Sequence, residues 1–253
     1  MDEKSRKMLF DHFKNQQPEE ILNTFDLLIP SAKTPEEYLR YTIMMQDLYE
    51  VFPNRLECKE LYVRGIERKI AFFMDHSTDI TEDTALEWFE ELKEAKKKLS
   101  ALKAVRYRPD RVDKLEKDIY CNMSKSAMYM GNRELQKEMA FRSGLDNHPY
   151  LWCLYVDRLL SDPSTINSQE MEKNVDLLER LVRQKTWSKP DQKAVGFLLL
   201  ERIYANGVGV ETNIDYAYSL LRECEKNSPK IAALDKKYFS KSLFGKKISY
   251  RRR

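Results

Sequence analysis

Residues 203–221 read IYANGVGVETNIDYAYSLL, and this stretch decides between two kinds of protein. Two glycines, Gly207 and Gly209, stand one residue apart in a chain that contains only 7 glycines. A glycine pair at the start of a helix can hold a phosphate in a nucleotide-binding enzyme. It can equally let one helix end and the next one turn back. The residues around the pair distinguish these two possibilities.

The surroundings of the glycine pair do not match a phosphate-binding loop. A dinucleotide-binding fingerprint follows a strand and has a third glycine, and a P-loop ends in Gly-Lys-Ser or Gly-Lys-Thr. Here the pair follows apolar residues at helical spacing, Thr212 stands at the third position, and the chain has no Gly-Lys-Ser or Gly-Lys-Thr. We therefore predict that Gly207 ends a helix in the left-handed conformation, that Gly209 lets the chain reverse, and that Asn213 caps the next helix.

Helix signals recur along the rest of the chain, in which glycine (7) and proline (9) are scarce. Thr34, Pro35 and Glu37 form a strong start signal, because a threonine cap, a proline in the first turn and a capping-box glutamate occur together. Residues 81–106 show a heptad pattern that favours an intramolecular hairpin with the next helix, with coiled-coil dimerisation as the alternative. No stretch alternates as a strand does. Further helices are predicted near 133–143, 149–160, 168–186, 190–206, 213–227 and 230–243.

About a dozen helices joined by short turns predict an all-α fold. We expect antiparallel helical hairpins stacked as an α-solenoid, since each hairpin must bury its exposed face on the next. The chain divides into N-terminal hairpins (1–120), degenerate repeats (121–235) and a basic C-terminal helix and tail (236–253). The first part could be a separate domain, but the absence of a Gly/Ser-rich linker favours one continuous superhelix.

Residues 195–228 resemble a Sel-one-like repeat, a relative of the tetratricopeptide repeat. Tyr204, Gly207, Gly209 and Val210 match the family pattern in register, and Ala217 follows in the second helix. The family's first glycine, its lysine and its closing alanines are replaced here. The resemblance implies a right-handed superhelix whose concave surface binds a protein or peptide, and it brings no catalytic residues.

We find no signature of an enzyme or a metal site. His12, His76 and His148 lie far apart and have no metal-ligating residues at suitable spacing. Cys153 follows His148 by five residues, which places the two on different faces of a helix. We therefore predict a non-enzymatic protein that has no catalytic residue, metal, cofactor or small-molecule substrate.

The sequence predicts no membrane span and no secretory signal. The charged start is not followed by an apolar segment, and the longest stretch without a charged residue is the ten residues 147–156. The four cysteines lie in apolar helical patterns and are interpreted as buried, reduced thiols. A cytoplasmic location is therefore expected.

Two groups of residues are candidates for binding. Tyrosines suit half-wet binding surfaces, and four of them could line a concave groove: Tyr38, Tyr41, Tyr150 and Tyr155. The C-terminal region interleaves aromatic residues with eight basic ones, which leaves a net charge of −5 in residues 1–235. These basic residues are Lys236, Lys237, Lys241, Lys246, Lys247, Arg251, Arg252 and Arg253.

The leading functional prediction is an interaction scaffold or adaptor that binds a partner protein or peptide on its concave helical surface. The alternative is a nucleic-acid-associated factor that contacts a polyanion through the basic tail. An acidic membrane surface or an acidic protein would suit the tail equally well.

Overall fold

Helices form nearly all of the regular structure in the computed structural model, which describes residues 3–161, 167–185, 187–241 and 248–251. These residues contain twelve helices and one pair of short strands. The first six helices are α1 (Glu3–Phe13), α2 (Pro18–Ser31), α3 (Pro35–Val51), α4 (Leu56–His76), α5 (Glu82–Ala104) and α6 (Pro109–Tyr129). The others are α7 (Arg133–Ser143), α8 (Tyr150–Ser161), α9 (Ser168–Arg183), α10 (Pro190–Asn206), α11 (Ile214–Asn227) and α12 (Pro229–Lys236).

Local sequence explains where several helices begin. Five of them, α2, α3, α6, α10 and α12, begin at a proline, whose fixed φ and missing N–H suit the first turn. The Thr34 hydroxyl accepts a hydrogen bond from the Glu37 amide at 3.2 Å, as a helix cap does. The Glu37 carboxylate accepts from the Lys33 amide at 2.8 Å, one residue upstream of the partner that a capping box predicts.

Neighbouring helices pack as antiparallel hairpins. Between α4 and α5, Lys98 lies 5.1 Å above the Tyr62 ring, while Phe73 and Trp88 stack with centroids 6.3 Å apart. Residue numbers therefore rise along one helix as they fall along the other. The same inverse order relates α3 to α4 and α5 to α6. The predicted all-α fold of packed antiparallel hairpins is confirmed.

The heptad residues of 81–106 are buried inside this packing. Ala85, Leu92, Ala95, Leu99 and Leu102 are all 0% exposed, and α5 contacts both α4 and α6. These residues of the stripe are thus buried within the chain, as the intramolecular interpretation predicts.

The chain folds as two compact units, residues 1–139 and 140–253. The division falls within α7. The sequence predicts a different organisation, into residues 1–120, 121–235 and 236–253, and this organisation remains a prediction. No helix in the described ranges is both long enough and apolar enough to cross a bilayer.

Helix α4 is the central element of the first unit, since it contacts α2, α3, α5 and α6. Gly65 allows the close approach of α3, because a Cβ atom there would lie 2.6 Å from the Thr42 carbonyl oxygen. Apolar residues of α4 belong to the two core clusters of this unit, Cys58 and Leu61 to one and Ile66 and Ile70 to the other.

In the second unit, α10 contacts α8, α9, α11 and α12. The glycine pair forms the turn between α10 and α11. Gly207 is the left-handed C-cap of α10 with φ 70°, and Gly209 has φ 71°. The Asn213 side chain then accepts a hydrogen bond from the Tyr216 amide at 2.9 Å at the start of α11.

The C-terminal region differs from the helix predicted over 230–243. Helix α12 ends at Lys236, and strand β1 (Phe239–Lys241) pairs antiparallel with strand β2 (Ile248–Tyr250). The prediction of no strand is therefore wrong here. Phe239 and Tyr250 form a cross-strand pair with centroids 5.0 Å apart, and the Tyr218 ring of α11 lies 5.6 Å from Phe239. Such aromatic packing stabilises the strand pair and overrides the local helical pattern.

Candidate functional site

Helix α4 carries a stripe of charged and aromatic side chains at every fourth position: Glu60, Arg64, Arg68, Phe72 and His76. Residues i and i+4 lie on neighbouring turns, so the stripe forms one ridge about 24 Å long at 1.5 Å per residue. Glu60 is 1% exposed and Arg64 is 7% exposed, whereas His76 is exposed. We call this stripe the α4 ridge. Two cavities open along it.

The first cavity is a cleft of about 320 Å³ lined by charged side chains from α2, α4 and α6. We call it the charged cleft. Its acidic residues are Asp26, Glu60, Glu67 and Asp118. Its basic residues are Arg64, Arg68, Arg111 and Lys114. The formal charges cancel when all eight groups are ionised.

Inside the cleft, two arginines converge on one carboxylate. Asp26 accepts hydrogen bonds from Arg64 and, at 3.3 Å, from both terminal nitrogens of Arg111. Arg111 Nε also pairs with Glu60 Oε1 at 3.0 Å. Helices α2, α4 and α6 are therefore joined by one network of ion pairs.

The network is incompletely satisfied. Arg64 Nη1 and Glu60 Oε2 are buried and have no hydrogen-bond partner among the described residues. Burial raises the pKa of the Glu60 carboxyl and lowers the pKa of the Arg64 guanidinium, and the neighbouring opposite charges oppose each shift. A buried ionic network with unpaired atoms costs stability, and such arrangements cluster at functional sites.

Glu67 lies next to this network on α4. The Asn122 side-chain amide of α6 donates to Glu67 Oε1 at 2.9 Å and to the Glu67 carbonyl oxygen at 3.3 Å. Burial raises the pKa of Glu67 to about 7, and repulsion from Asp118 adds to the rise. Glu67 therefore changes its charge near neutral pH.

The second cavity has a volume of about 430 Å³ and contains a stack of three rings. The Tyr38 and Phe72 centroids are 5.2 Å apart, and the Phe72 and His76 centroids are 4.1 Å apart. His76 Nδ1 donates to the Phe72 carbonyl oxygen at 2.8 Å, which fixes the imidazole on the stack. Lys33 and Asp75 also line the cavity. We call the three stacked rings the aromatic shelf.

Arg68 connects the two cavities. It lines the charged cleft, and its guanidinium lies near the Tyr38 hydroxyl of the aromatic shelf. Phe72 follows Arg68 by one turn along the α4 ridge. We call the charged cleft and the aromatic shelf together the α4 groove.

The structure places the four predicted groove tyrosines differently. Tyr38 belongs to the aromatic shelf, and Tyr41 is half-buried against the N-terminal core cluster. In the second unit, Tyr150 is half-buried in α8, and Tyr155 is 2% exposed with its ring 4.9 Å from that of Trp152. Tyr155 thus lies in the core of the second unit, and the four tyrosines are divided equally between the two units. A binding role for Tyr41 and Tyr150 remains a prediction.

The predicted repeat-turn residues lie in a polar cluster of the second unit. The hydroxyls of Tyr204 and Tyr216 donate to Glu179 Oε1 at 2.8 and 3.1 Å, and Arg183 donates to the Tyr216 hydroxyl at 3.0 Å. Ala217 is 0% exposed. These contacts join α9 to the α10–α11 hairpin, a structural role.

The predicted polyanion-binding residues are described only in part. Lys236 pairs with Glu225 at 2.6 Å, Lys237 lies 5.2 Å from the Tyr238 ring centroid, and Arg251 is exposed. The side chain of Lys241 and the residues Lys246, Lys247, Arg252 and Arg253 lie outside the described part of the chain. Polyanion binding by the tail remains a prediction.

The cysteines are free thiols in environments unlike that of a nucleophile. Cys58, Cys153 and Cys224 are buried, and Cys121 is half-buried. Burial raises the pKa of all four thiols, to about 12 for Cys58 and Cys224 and about 11 for Cys121. Activated cysteines have lowered pKa values. Among the residues that the structure describes, no three His, Cys, Asp or Glu side chains are placed to hold a metal ion.

Sequence reasoning missed the charged cleft. Its signal is visible in retrospect, because Glu60 and Arg64 stand among buried apolar positions of α4 where charges are unusual.

A scan against protein-family models matches no family, and searches of curated proteins and of solved structures also find no match.

Proposed function

We propose that the protein is a non-enzymatic interaction protein that binds a segment of a partner protein in the α4 groove. The observation that carries the proposal is the convergence of buried, incompletely paired charges from three helices beside a stack of aromatic rings. When a ligand supplies the missing hydrogen bonds of buried polar groups, these bonds make the free energy of binding more favourable. Binding sites also combine such polar anchors with aromatic surface.

The size and charge of the α4 groove suit a protein segment. A ridge of about 24 Å spans roughly seven residues of an extended peptide, which advances about 3.3 Å per residue. The formal charges of the cleft cancel, whereas a surface that binds a polyanion is strongly basic. The Sel-one-like resemblance of residues 195–228 adds support, because such repeats are scaffolds.

A peptide selection tests the proposal. The full-length chain would be used to enrich binders from a random 12-residue peptide library, and fluorescence anisotropy would measure the affinity of individual peptides. We expect Arg111→Ala to weaken groove binders at least tenfold, which is about 1.4 kcal/mol. The Arg111 side chain is 38% exposed but pairs with the buried Glu60, so circular dichroism and urea unfolding would check that the variant is folded under the conditions of the binding measurement.

Arg222→Ala is the matched control, because Arg222 lies on α11 and its side chain is 59% exposed in an ion pair with Glu225. It should leave the affinities unchanged. Peptides that bind Arg111→Ala and Phe72→Ala as tightly as the wild type would occupy another surface and contradict the proposal.

A further inference from the structure

The acids and bases of the charged cleft are unequally engaged. The acidic side chains all interact with other groups of the chain, for example Asp26 with its two arginines and Glu67 with Asn122. By contrast, Arg68 and Lys114 make no ion pair with a described acid, although both line the cleft. Arg64 Nη1 also has no hydrogen-bond partner, and on the acidic side of the cleft the same is true of one buried oxygen, Glu60 Oε2. Among the described residues, the cationic donors Arg64 Nη1, Arg68 and Lys114 therefore outnumber this one acceptor.

A single carboxylate is the group that complements these donors. Guanidinium and ammonium groups form their strongest hydrogen bonds with anionic oxygens. A polyanion is disfavoured because the same cleft holds four acidic residues. Within a protein segment, the matching side chain is aspartate or glutamate.

The aromatic shelf adds a second requirement. Tyr38 and Phe72 are half-buried and His76 is exposed, so the stack presents ring surface to a ligand. Aromatic rings associate favourably with such a stack at centroid distances of roughly 4.5–7 Å. A tryptophan, tyrosine or phenylalanine of the partner would therefore extend it.

The α4 ridge sets the spacing between the acidic and the aromatic side chain of the partner. Arg64 and Phe72 are two turns apart on α4, about 12 Å along the axis at 1.5 Å per residue. An extended peptide covers that distance in three to four residues at about 3.3 Å each.

We propose that the partner segment carries an acidic side chain and an aromatic side chain three or four residues apart, with the acid in the charged cleft and the ring on the aromatic shelf. This proposal rests on the proposed function, since it specifies the ligand of the same groove.

The test uses fluorescein-labelled nonapeptides of glycine and serine that contain one glutamate and one tryptophan. The tryptophan stands four residues after or before the glutamate, and comparison peptides place it one or seven residues away. Further peptides replace glutamate by glutamine or lysine, and tryptophan by alanine. Anisotropy with the full-length chain would measure each affinity. We expect the best of the two four-residue peptides to bind at least fivefold more tightly than each comparison peptide.

A variant of the protein makes the test specific to the cleft. Lys114→Gln is expected to reduce the preference for glutamate over glutamine at least threefold while leaving the affinity of the glutamine peptide unchanged. Lys117→Gln is the matched control, because Lys117 is exposed on the same helix and does not line the cleft. Since Lys114 is also exposed, neither substitution should disturb folding.

Several outcomes would overturn the inference. If the glutamine or lysine peptide binds as tightly as the glutamate peptide, the partner does not need an acidic side chain. If the alanine peptide binds as tightly as the tryptophan peptide, the partner does not need an aromatic side chain. A single-stranded oligonucleotide whose binding depends on Lys114 would point to a different ligand class. If library peptides without an acid lose affinity in Arg111→Ala, the proposed function stands and only this inference fails. If no peptide responds to Arg111→Ala, both fail.

Discussion

Arg64 illustrates how a single buried cation organises the first unit. Its side chain is 9% exposed, and it connects α4 to Asp26 on α2 while lying 3.7 Å from Glu60 Oε1. The arginine thus balances carboxylates from two helices in a place that water reaches poorly. Removing one member of such a network leaves the others uncompensated.

Arg64→Met is therefore expected to lower the free energy of unfolding by about 3 kcal/mol, the cost of breaking a buried ion pair. The double variant Glu60→Met/Arg64→Met should lose less than Arg64→Met alone, because it no longer buries the Glu60 charge. Urea unfolding followed by circular dichroism measures both, with Arg222→Met as the exposed control. Equal stability of Arg64→Met and wild type would contradict this account.

Glu67 makes the stability of the first unit depend on pH. Its folded-state pKa of about 7 lies above the ordinary value of 4.5. The folded state therefore binds the proton more tightly than the unfolded state does, and the contribution of Glu67 to stability decreases as pH rises from about 4.5 to 7. Glutamine keeps the oxygen that accepts from Asn122 but cannot ionise.

Glu67→Gln should consequently gain stability relative to wild type as the pH increases. Thermal unfolding of both proteins at pH 5 and pH 8 would measure this gain. Taking the difference between the two Tm values at each pH cancels the effect of the other titrating groups, because both proteins contain them. We expect the Tm of the variant minus that of the wild type to be larger at pH 8. A difference that is the same at both pH values would show that Glu67 has an ordinary pKa.

At the scale of elements, α4 combines two tasks that compete for its surface. Its apolar positions enter both core clusters of the first unit, while the α4 ridge presents charges and rings to the groove. The geometry of the aromatic shelf depends on how closely α3 and α4 pack, because Tyr38 comes from α3 and Phe72 from α4. Gly65 makes that close packing possible.

Gly65→Ala is expected to separate α3 from α4, since its Cβ would lie 2.6 Å from the Thr42 carbonyl oxygen. Overpacking of this kind typically costs about 1–3 kcal/mol. The free energy of unfolding by urea would measure the loss, and Gly131→Ala provides a comparison in which strain comes from a φ of 77°. A stabilised Gly65→Ala variant, as expected for a loosely packed helix, would contradict the close contact.

How well the sequence predicts a structural feature depends on how far apart in the sequence its contacting residues are. Helix starts such as Thr34 were predictable because the cap and its partner are three residues apart. The charged cleft was not, because Asp26 and Arg111 meet across 85 residues of sequence. The β1–β2 pair was missed for the same reason, since Phe239 of β1 packs on Tyr218 of α11, which lies earlier in the chain.

At the scale of the whole molecule, the basic residues are concentrated at one end of the chain. Residues 1–235 carry a net charge of −5, whereas the remaining eighteen residues contain eight cations and no acid. The α4 groove lies within residues 1–139, so the tail and the groove belong to different compact units. Their binding properties should therefore be separable.

Replacing Lys246, Lys247, Arg252 and Arg253 by glutamine is expected to weaken binding of a single-stranded 30-nucleotide DNA. The slope of log K against log salt should decrease by up to about 3, at about 0.7 per lost phosphate contact. Groove-binding peptides should keep their affinity. Lys93→Gln/Lys97→Gln is the control in the exposed part of α5, and an unchanged DNA affinity of the tail variant would rule out the tail as the contact.

The buried thiols provide an internal reporter of how each compact unit opens. Cys58 belongs to the first unit, and Cys153 and Cys224 belong to the second. Alkylating reagents attack an exposed thiolate, so each of these cysteines becomes reactive only when its surroundings unfold locally. Mass spectrometry of peptides after timed alkylation would therefore resolve two separate opening rates from one unmodified chain. A ligand of the α4 groove would slow the alkylation of Cys58 by stabilising the closed state of the first unit.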